Sequence, residues 1–509
     1  METKIHIIAV FSGAILAFAF PPFLAGFIAY FALVPLIYLL RGTSFRWSLK
    51  IGFLWGLGLN SFALYWIAID TVPGGIASIL FLSFLSMFFP VVFSWGYRIW
   101  GERFVWAFPF LWVLNEYLRY FGQLRFPWLT LAHTQTYYLS LIQYCSYTGV
   151  YAVSFWICLL NVIIYLFIHE GRRRSRQRLW ASAAAILIIL PYLYGKIIID
   201  RYRIPEKSVK VALVQGNIDP WAKWDKTLKD FNFQRYEELS LKAAAQKPDL
   251  LIWPESAATS YLLWDDVYLS WVHRIVDSLG IPLLTGALDT EFEKGSLARK
   301  DFNAALFLQP HTEKIQSYAK MLLVPVSERF PFVDYLPFLA NIDLGQGPSN
   351  FTPGKELTIF NYKQLNFATV ICFESIFPEL VRKFCDKSID FLIVITNDGW
   401  FGKSSSPFQH AQFAVFRAIE NRISVARCAN TGISSFINPR GEVFEASPIF
   451  ETAVLVKSIP LRQEVTFYTR HGDWFPQLIS SIGGIILLIT FIKGGFVFIT
   501  GRRKNKTSM

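Results

Sequence analysis

The sequence predicts a bundle of about eight membrane-spanning helices carrying one α/β layered domain. Three observations predict it. Apolar residues make up 53% of the 509 residues and charged residues only 17%, against roughly 25% charged in a soluble globular chain. Long apolar stretches gather at the two ends, and alternating strand and helix patterns fill the stretch between. Charge is divided the same way: residues 201–470 hold 30 basic and 30 acidic side chains, so the net +12 belongs wholly to the apolar ends. This excludes a disordered chain and a wholly soluble enzyme. A basic excess beside apolar spans reads as topology and anionic headgroups before it reads as nucleic-acid binding.

A bilayer span needs about 20 mostly apolar residues. Eight stretches qualify: 5–20, 23–41, 50–69, 75–97, 104–120, 141–168, 179–198 and 475–498. The first two are short and joined by Pro21-Pro22, as in one helical hairpin, and the first resembles a signal peptide. Against cleavage, only Lys4 precedes it, and Phe20-Pro21-Pro22 follows where small residues are expected. Basic residues mark alternate connections: Arg41, Arg46 and Lys50; Arg98 and Arg103; Arg172, Arg173, Arg174, Arg176 and Arg178; and Arg502, Arg503, Lys504 and Lys506. The opposite connections hold only Arg119 and Arg125. The positive-inside rule then places both termini in the cytoplasm of a bacterial inner (plasma) membrane. Residues 1–204 are expected to hold seven spans, 205–470 an extracytoplasmic domain, and 471–509 the last span with a basic tail.

The middle segment alternates. β-rich apolar runs lie at 209–215, 250–253, 281–286, 304–308, 367–373, 391–396 and 433–437, with helical patterns at 231–246, 268–279 and 409–423. Continuous apolar strands imply sheets covered on both faces. Residues 403–407 read as a flexible loop by composition. The five cysteines show no spacing of a disulfide framework or zinc site, and the seven histidines none of a metal site.

Short motifs sit at predicted strand ends. They are Trp253-Pro254-Glu255, then Tyr318-Ala319-Lys320 with Leu323-Val324-Pro325 and Glu328, then Cys372-Phe373-Glu374, and finally Asn397-Asp398-Gly399-Trp400-Phe401. A thiol becomes a nucleophile at neutral pH through a base and a positive neighbour. A carboxylate supplies the base. An ammonium is expected to lower the thiol pKa and to donate to a developing oxyanion. Singly, each residue has an ordinary reading. Cys372 reads as a small buried hydrophobe, Glu255 as a helix cap, Lys320 as a solvated charge and Glu328 as a partner of Arg329. The ordered set is far more specific than its members.

That set resembles the nitrilase superfamily with its Glu–Lys–Cys triad, and together with the apolar spans it resembles the bacterial apolipoprotein N-acyltransferase family. The resemblance extends to Phe126-Pro127-Trp128, Gln215-Gly216-Asn217-Ile218, Arg417-Ala418-Ile419-Glu420-Asn421-Arg422 and Tyr468-Thr469-Arg470-His471-Gly472-Asp473. It implies a nitrilase-like αββα sandwich. It further implies Glu255 as general base, Lys320 as stabiliser of oxyanion and thiolate, and Cys372 as nucleophile, with Glu328 and Glu374 supporting them. Trp224 matches a family tryptophan near the substrate entrance. Phe373 stands where relatives often have tyrosine, which leaves an apolar contact in place of a hydroxyl. Phe373, Trp400 and Phe401 complete the candidate substrate contacts.

The implied activity is ping-pong acyl transfer, from a phospholipid donor to the N-terminal amine of a diacylglyceryl-cysteine lipoprotein, by a monomer without metal or cofactor. The aromatic stretches 330–338 and 400–408 are candidate lid or interfacial loops, with ordinary packing the alternative. Glu116 and Arg119 fall in or near a span and read as a structural pair or a headgroup site. Two other readings share parts of the pattern. A membrane-tethered amidase or nitrilase keeps the triad but leaves eight spans unexplained. A transporter or receptor with a ligand-binding domain keeps the spans but lacks paired broken helices.

Overall fold

Proline and glycine punctuate the apolar part of the chain. The computed structural model describes residues 2–171, 174–292, 299–342 and 349–506, so Arg172 and Arg173 lie outside the described residues. Pro35, Pro73 and Pro109 sit in the first turn of the helices Val34–Leu40, Val72–Leu85 and Phe108–Leu118, where the missing N–H costs nothing. Four helical stretches among the described residues are long and apolar enough to cross a membrane: Val72–Leu118, Tyr151–His169, Arg174–Arg201 and Trp474–Gly495. The first of these covers two of the expected spans. The stretch 5–20 lies in Glu2–Ala17, a helix of 16 residues, and the apolar stretch Gly26–Leu40 is likewise short. Phe45–Ala63 reaches 19 residues but begins with Arg46 and Lys50 in its first turns.

The chain forms two compact units. The helical unit comprises the residues up to Tyr120, Pro127–Ile198 and those from Asp473 on. Within it Glu2–Ala17 lies directly on Phe45–Ala63. A Cβ at Gly13 would stand 2.1 Å from Trp55 O, and one at Gly58 2.1 Å from Val10 O, so only glycine permits this approach. Gly195 is the one buried residue of Arg174–Arg201, while Ile186, Ile189 and Leu190 are exposed. An exposed apolar face of that length suits lipid, not water. Glu116 is buried and accepts hydrogen bonds from Trp112 Nε1 (2.9 Å) and Leu131 N (2.8 Å), which suits a structural role.

The second unit, Phe121–Phe126 with Ile199–Gly472, is a pair of facing sheets between helices. Its strands are β1 (Ser208–Gln215), β2 (Leu250–Ile252), β3 (Ala258–Tyr261), β4 (Leu283–Phe292), β5 (Arg299–Leu308), β6 (Gln316–Ala319), β7 (Phe360–Tyr362), β8 (Leu365–Ile371), β9 (Phe391–Thr396), β10 (Val425–Ala429), β11 (Ser435–Ile437), β12 (Val443–Ala446) and β13 (Ala453–Pro460). One sheet runs β13-β1-β2-β4-β5-β6, with β3 also on β4, and the other runs β12-β11-β10-β9-β8-β7. The central pairs β1–β2, β2–β4, β8–β9 and β9–β10 are parallel, and their paired residues are mostly apolar and buried, as two covered faces require. Helices Lys229–Ala244 and Asp266–Leu279 cover the first sheet through Phe233, Tyr236, Val272 and Val276. Helices Pro378–Asp386 and Ser406–Asn421 pack together, and the latter lies on β10. Cys428 on β10 points its thiol at the Val214 and Ile252 carbonyls, joining the two sheets. This is the αββα layering.

The loop expected at 403–407 is shorter than expected: 403–405 form a bend with Lys403 exposed, and Ser406 begins a helix. Ser404, Ser405 and Ser406 are buried, and Pro407 enters the first turn of Ser406–Asn421. Serines followed by proline read as a loop by composition, but here they start a helix.

Candidate active site

Three side chains that follow strand ends come together: Cys372 after β8, Glu255 after β2 and Lys320 after the antiparallel edge strand β6. β8 ends at Ile371, and Cys372 turns out of the strand with φ 51° into a 3-10 turn, Cys372–Ile376. A left-handed backbone costs a residue with a Cβ roughly 1–2 kcal/mol, so something must hold it. Glu374, fully buried, does so: Oε2 accepts from Ile371 N (2.8 Å), and Oε1 accepts from Tyr318 OH (2.7 Å), Met321 N (2.7 Å) and Leu322 N (3.1 Å). One carboxylate thus ties the cysteine turn to the segment that carries Lys320.

Behind the turn lies a second buried group. His410 Nε2 stands 3.0 Å from Cys372 O and 3.1 Å from Ser375 Oγ, and its Nδ1 stands 2.7 Å from Asp398 Oδ1. Asp398 Oδ2 accepts from Arg427 Nη2 at 2.8 Å. Burial works to raise the Asp398 carboxyl, but the Arg427 guanidinium and His410 outweigh it and hold it well below the usual range.

Glu255 follows β2, ahead of Ser256 at φ 51°. A Cβ at Gly286 on β4 would stand 2.5 Å from Ser256 N, so glycine is what admits this turn beside the neighbouring strand. Glu255 Oε2 accepts from Asn397 N (3.0 Å), and Oε1 accepts from Asn303 Nδ2 (2.8 Å) and Lys320 Nζ (3.4 Å). Lys320, 1% exposed, gives its stronger bond to Glu328 Oε1 at 2.8 Å. Glu328 in turn accepts from Asn303 Nδ2 (2.9 Å) and Val324 N (2.8 Å). Asn303, in β5, therefore clamps both carboxylates while Lys320 sits between them.

Electrostatics fixes the resting proton distribution. Burial disfavours the Lys320 ammonium, but Glu328, Glu255 and Cys372 outweigh burial and keep it charged. Burial and the negative Glu255 push the Cys372 thiol up, and Lys320 only partly offsets them. The ammonium does lower the thiol, as expected, but burial and Glu255 outweigh it and the net shift is upward. Cys372 rests as a thiol, and it alone of the three keeps a half-open surface.

Residues 210–466 match the family model described as carbon-nitrogen hydrolase, and residues 12–163 match that of the apolipoprotein N-acyltransferase N-terminal domain. The chain is 36% identical to an apolipoprotein N-acyltransferase of Geobacter metallireducens, over 96% of this chain and 95% of that one. A protein of the same name from Chlorobaculum tepidum is 32% identical over 96% and 97%. A solved structure of an amidase variant of the nitrilase superfamily from Nesterenkonia aligns with 54% of this chain and 96% of its own, at 20% identity and TM-score 0.39. The chain belongs to the apolipoprotein N-acyltransferase family.

Seen as an apolipoprotein N-acyltransferase family member, the chain brings Glu255, Lys320, Glu328, Glu374 and Cys372 into one bonded and charge-coupled cluster. The aromatic candidates are placed otherwise. Phe373 is buried, its ring 5.0 Å from Phe377 and 6.2 Å from Phe126. Trp400 packs edge-on against Trp221 at 5.0 Å, in the 3-10 turn Asp398–Phe401 that ends with Phe401. Trp224 closes the turn Ala222–Trp224 with Lys223 Nζ over its ring. Sequence reasoning gave no role to Asn303, Asp398, His410 or Arg427. Asp398 was visible inside a motif; the other three carry no local signal. Cys385 is fully buried and its thiol is pushed up to about 12 by burial, which disfavours the reactive thiolate.

Proposed function

We propose that this chain transfers an acyl group from a phospholipid to the N-terminal α-amine of a diacylglyceryl-cysteine lipoprotein, through a thioester on Cys372. The observation that carries the reading is the partly exposed Cys372, whose electrostatic neighbours are Glu255 and a Lys320 ammonium held between two carboxylates. In the first step Glu255 takes the thiol proton as Sγ attacks the ester carbonyl carbon. Lys320 and nearby backbone N–H groups meet the charge on the carbonyl oxygen. The carbon–oxygen bond breaks, Glu255 returns the proton to the departing oxygen, and lysophospholipid leaves. In the second step the neutral α-amine attacks the thioester, Glu255 takes its surplus proton, and Cys372 is released as the thiol.

The same reading assigns residues 205–470 as the catalytic domain on the extracytoplasmic side of the inner membrane, about eight spans, both termini cytoplasmic, and a monomer. It is supported by the exposed apolar helices, by the basic connections and by the relatives' names. Glu328 and Glu374 act as positioning residues. The test is intact mass spectrometry of the full chain with phospholipid alone. An acyl mass on Cys372, discharged by a diacylglyceryl-cysteinyl peptide, is expected. Release of ammonia from simple amides with no acyl adduct from phospholipid would replace the transferase with an amidase.

A further inference from the structure

A cavity in the catalytic unit, about 470 Å³, is bordered by Lys223, Trp224, Thr259 and Tyr261. Four basic and two acidic side chains line it. Both acids are already spent. Asp225 accepts from Thr227 N (2.9 Å) and Thr227 Oγ1 (2.8 Å), and Asp265 accepts from Lys229 Nζ (2.7 Å) and Ser260 Oγ (2.7 Å). Arg299 is paired with Asp301 at 2.6 Å. The Lys223 ammonium lies over the Trp224 ring and has neither a hydrogen bond nor an ion pair with any described residue, although Lys223 is only 4% exposed. Two more donors on the same wall, Trp224 Nε1 and Thr259 Oγ1, are buried without a hydrogen-bond partner.

Buried polar groups in a native fold are nearly always satisfied, and an unpaired buried cation is among the most costly exceptions. Three groups that can each donate converge here with no acceptor assigned to them. What completes such a set is an anion with several acceptor oxygens. Lys223 lies within electrostatic reach of Glu255 and Cys372, the two groups that act on the ester in the proposed reaction. We propose that this cavity is a phosphate-binding site that receives the phosphodiester of the acyl donor, with Lys223 as its charged anchor and Trp224 and Thr259 as further donors. The proposal rests on the acyl-transfer reading and adds to it the basis of donor recognition. Burial pushes the Lys223 ammonium down to about 8, although Glu255 and Cys372 pull it back up, and a bound phosphate would relieve that cost.

The test compares two donors with identical acyl chains in the same mixed micelles, phosphatidylglycerol and the phosphate-free diacylglycerol. The readout is the initial rate of acyl adduct formation on Cys372. The wild type is expected to prefer the phospholipid by roughly tenfold or more, the worth of one charge-assisted bond. Lys223→Gln is expected to lose most of that preference and Lys223→Arg to retain it. Because the readout is a ratio within one protein, a partly folded variant still reports it. A preference that survives in Lys223→Gln, or a wild type without one, overturns the proposal. Inhibition of the phospholipid reaction by inorganic phosphate shows that free phosphate enters the same site. An intact preference without such inhibition restricts the site to lipid-borne phosphate. A wild type that takes no acyl group from either donor refutes the acyl-transfer reading itself, a different result from an unchanged ratio.

Discussion

At the scale of single residues, the two jobs assigned to Glu255 pull the Cys372 thiol in opposite directions. Its charge raises the thiol pKa, yet in the proposed mechanism its oxygen is the base that removes the proton. Glu255→Gln separates the two. Without the negative neighbour the thiol pKa falls, so alkylation by iodoacetamide at pH 8 is expected to quicken, since it needs only thiolate. Acyl adduct formation is expected to slow by roughly 10²–10⁴, since the base is gone. Both rates falling together, with the fold intact, would show that Glu255 positions the thiol and does not act as its base. These reacting residues were legible because each lies in a short motif at a strand end. Asn303 was not. Its neighbours Phe302, Ala304 and Ala305 read as plain strand, and only the tertiary structure shows its amide bridging Glu255 and Glu328.

At the scale of elements, Asp398 joins three: the turn after β9, β10 through Arg427, and Ser406–Asn421 through His410. Removing one partner of a buried ion pair costs roughly 3–5 kcal/mol, because the other charges stay buried. Asp398→Asn is expected to lower the thermal midpoint of the full chain at pH 7. The acid limb tests the cause. A carboxyl held below its ordinary value stabilises the fold fully above about pH 4 and loses that contribution as pH falls toward the folded value. The gap between wild type and variant should therefore narrow by about 1 kcal/mol per pH unit below pH 4. A gap that does not change with pH would mean that packing, not charge, carries the effect. The same residues explain what the sequence hid. β9 was visible as a run of six buried residues. β10 was not, because Val425-Ala426-Arg427-Cys428-Ala429 sets a fully buried arginine in a central strand. The arginine is tolerated only because Asp398 and the Ile433 carbonyl receive it. Periodicity cannot see a buried pair whose halves are 29 residues apart.

At the scale of the whole molecule, both proposed substrates are lipid-anchored, and lifting an acyl chain into water costs about 0.8 kcal/mol per CH₂, on the order of 10 kcal/mol in all. The catalytic unit must then meet the bilayer through a surface of its own. The stretch 330–338 supplies one. Tyr335 is 77% exposed and Phe338 63%, with Phe332 and Leu336 also exposed. The stretch is not slack: Arg329 bonds Phe351 O (2.8 Å) and Asp334 (2.6 Å), and Phe332 N donates to Gln123. A tethered loop that exposes aromatic rings to water makes little sense except at an interface, since each such side chain gains roughly 1.5–3 kcal/mol on leaving water. The paired stretch 400–408 is different, since only Lys403 in it is exposed and residues 404–407 are buried, and composition alone could not separate the two. The double variant Tyr335→Asp with Phe338→Asp is therefore expected to slow acylation of Cys372 by vesicle-embedded phospholipid roughly tenfold or more. Acylation by a short-chain donor dissolved as monomers should be nearly unchanged, because that donor needs no membrane contact. Equal losses with both donors would place the loop in the chemistry of the site, and no loss with vesicles would leave those rings as surface without an interface.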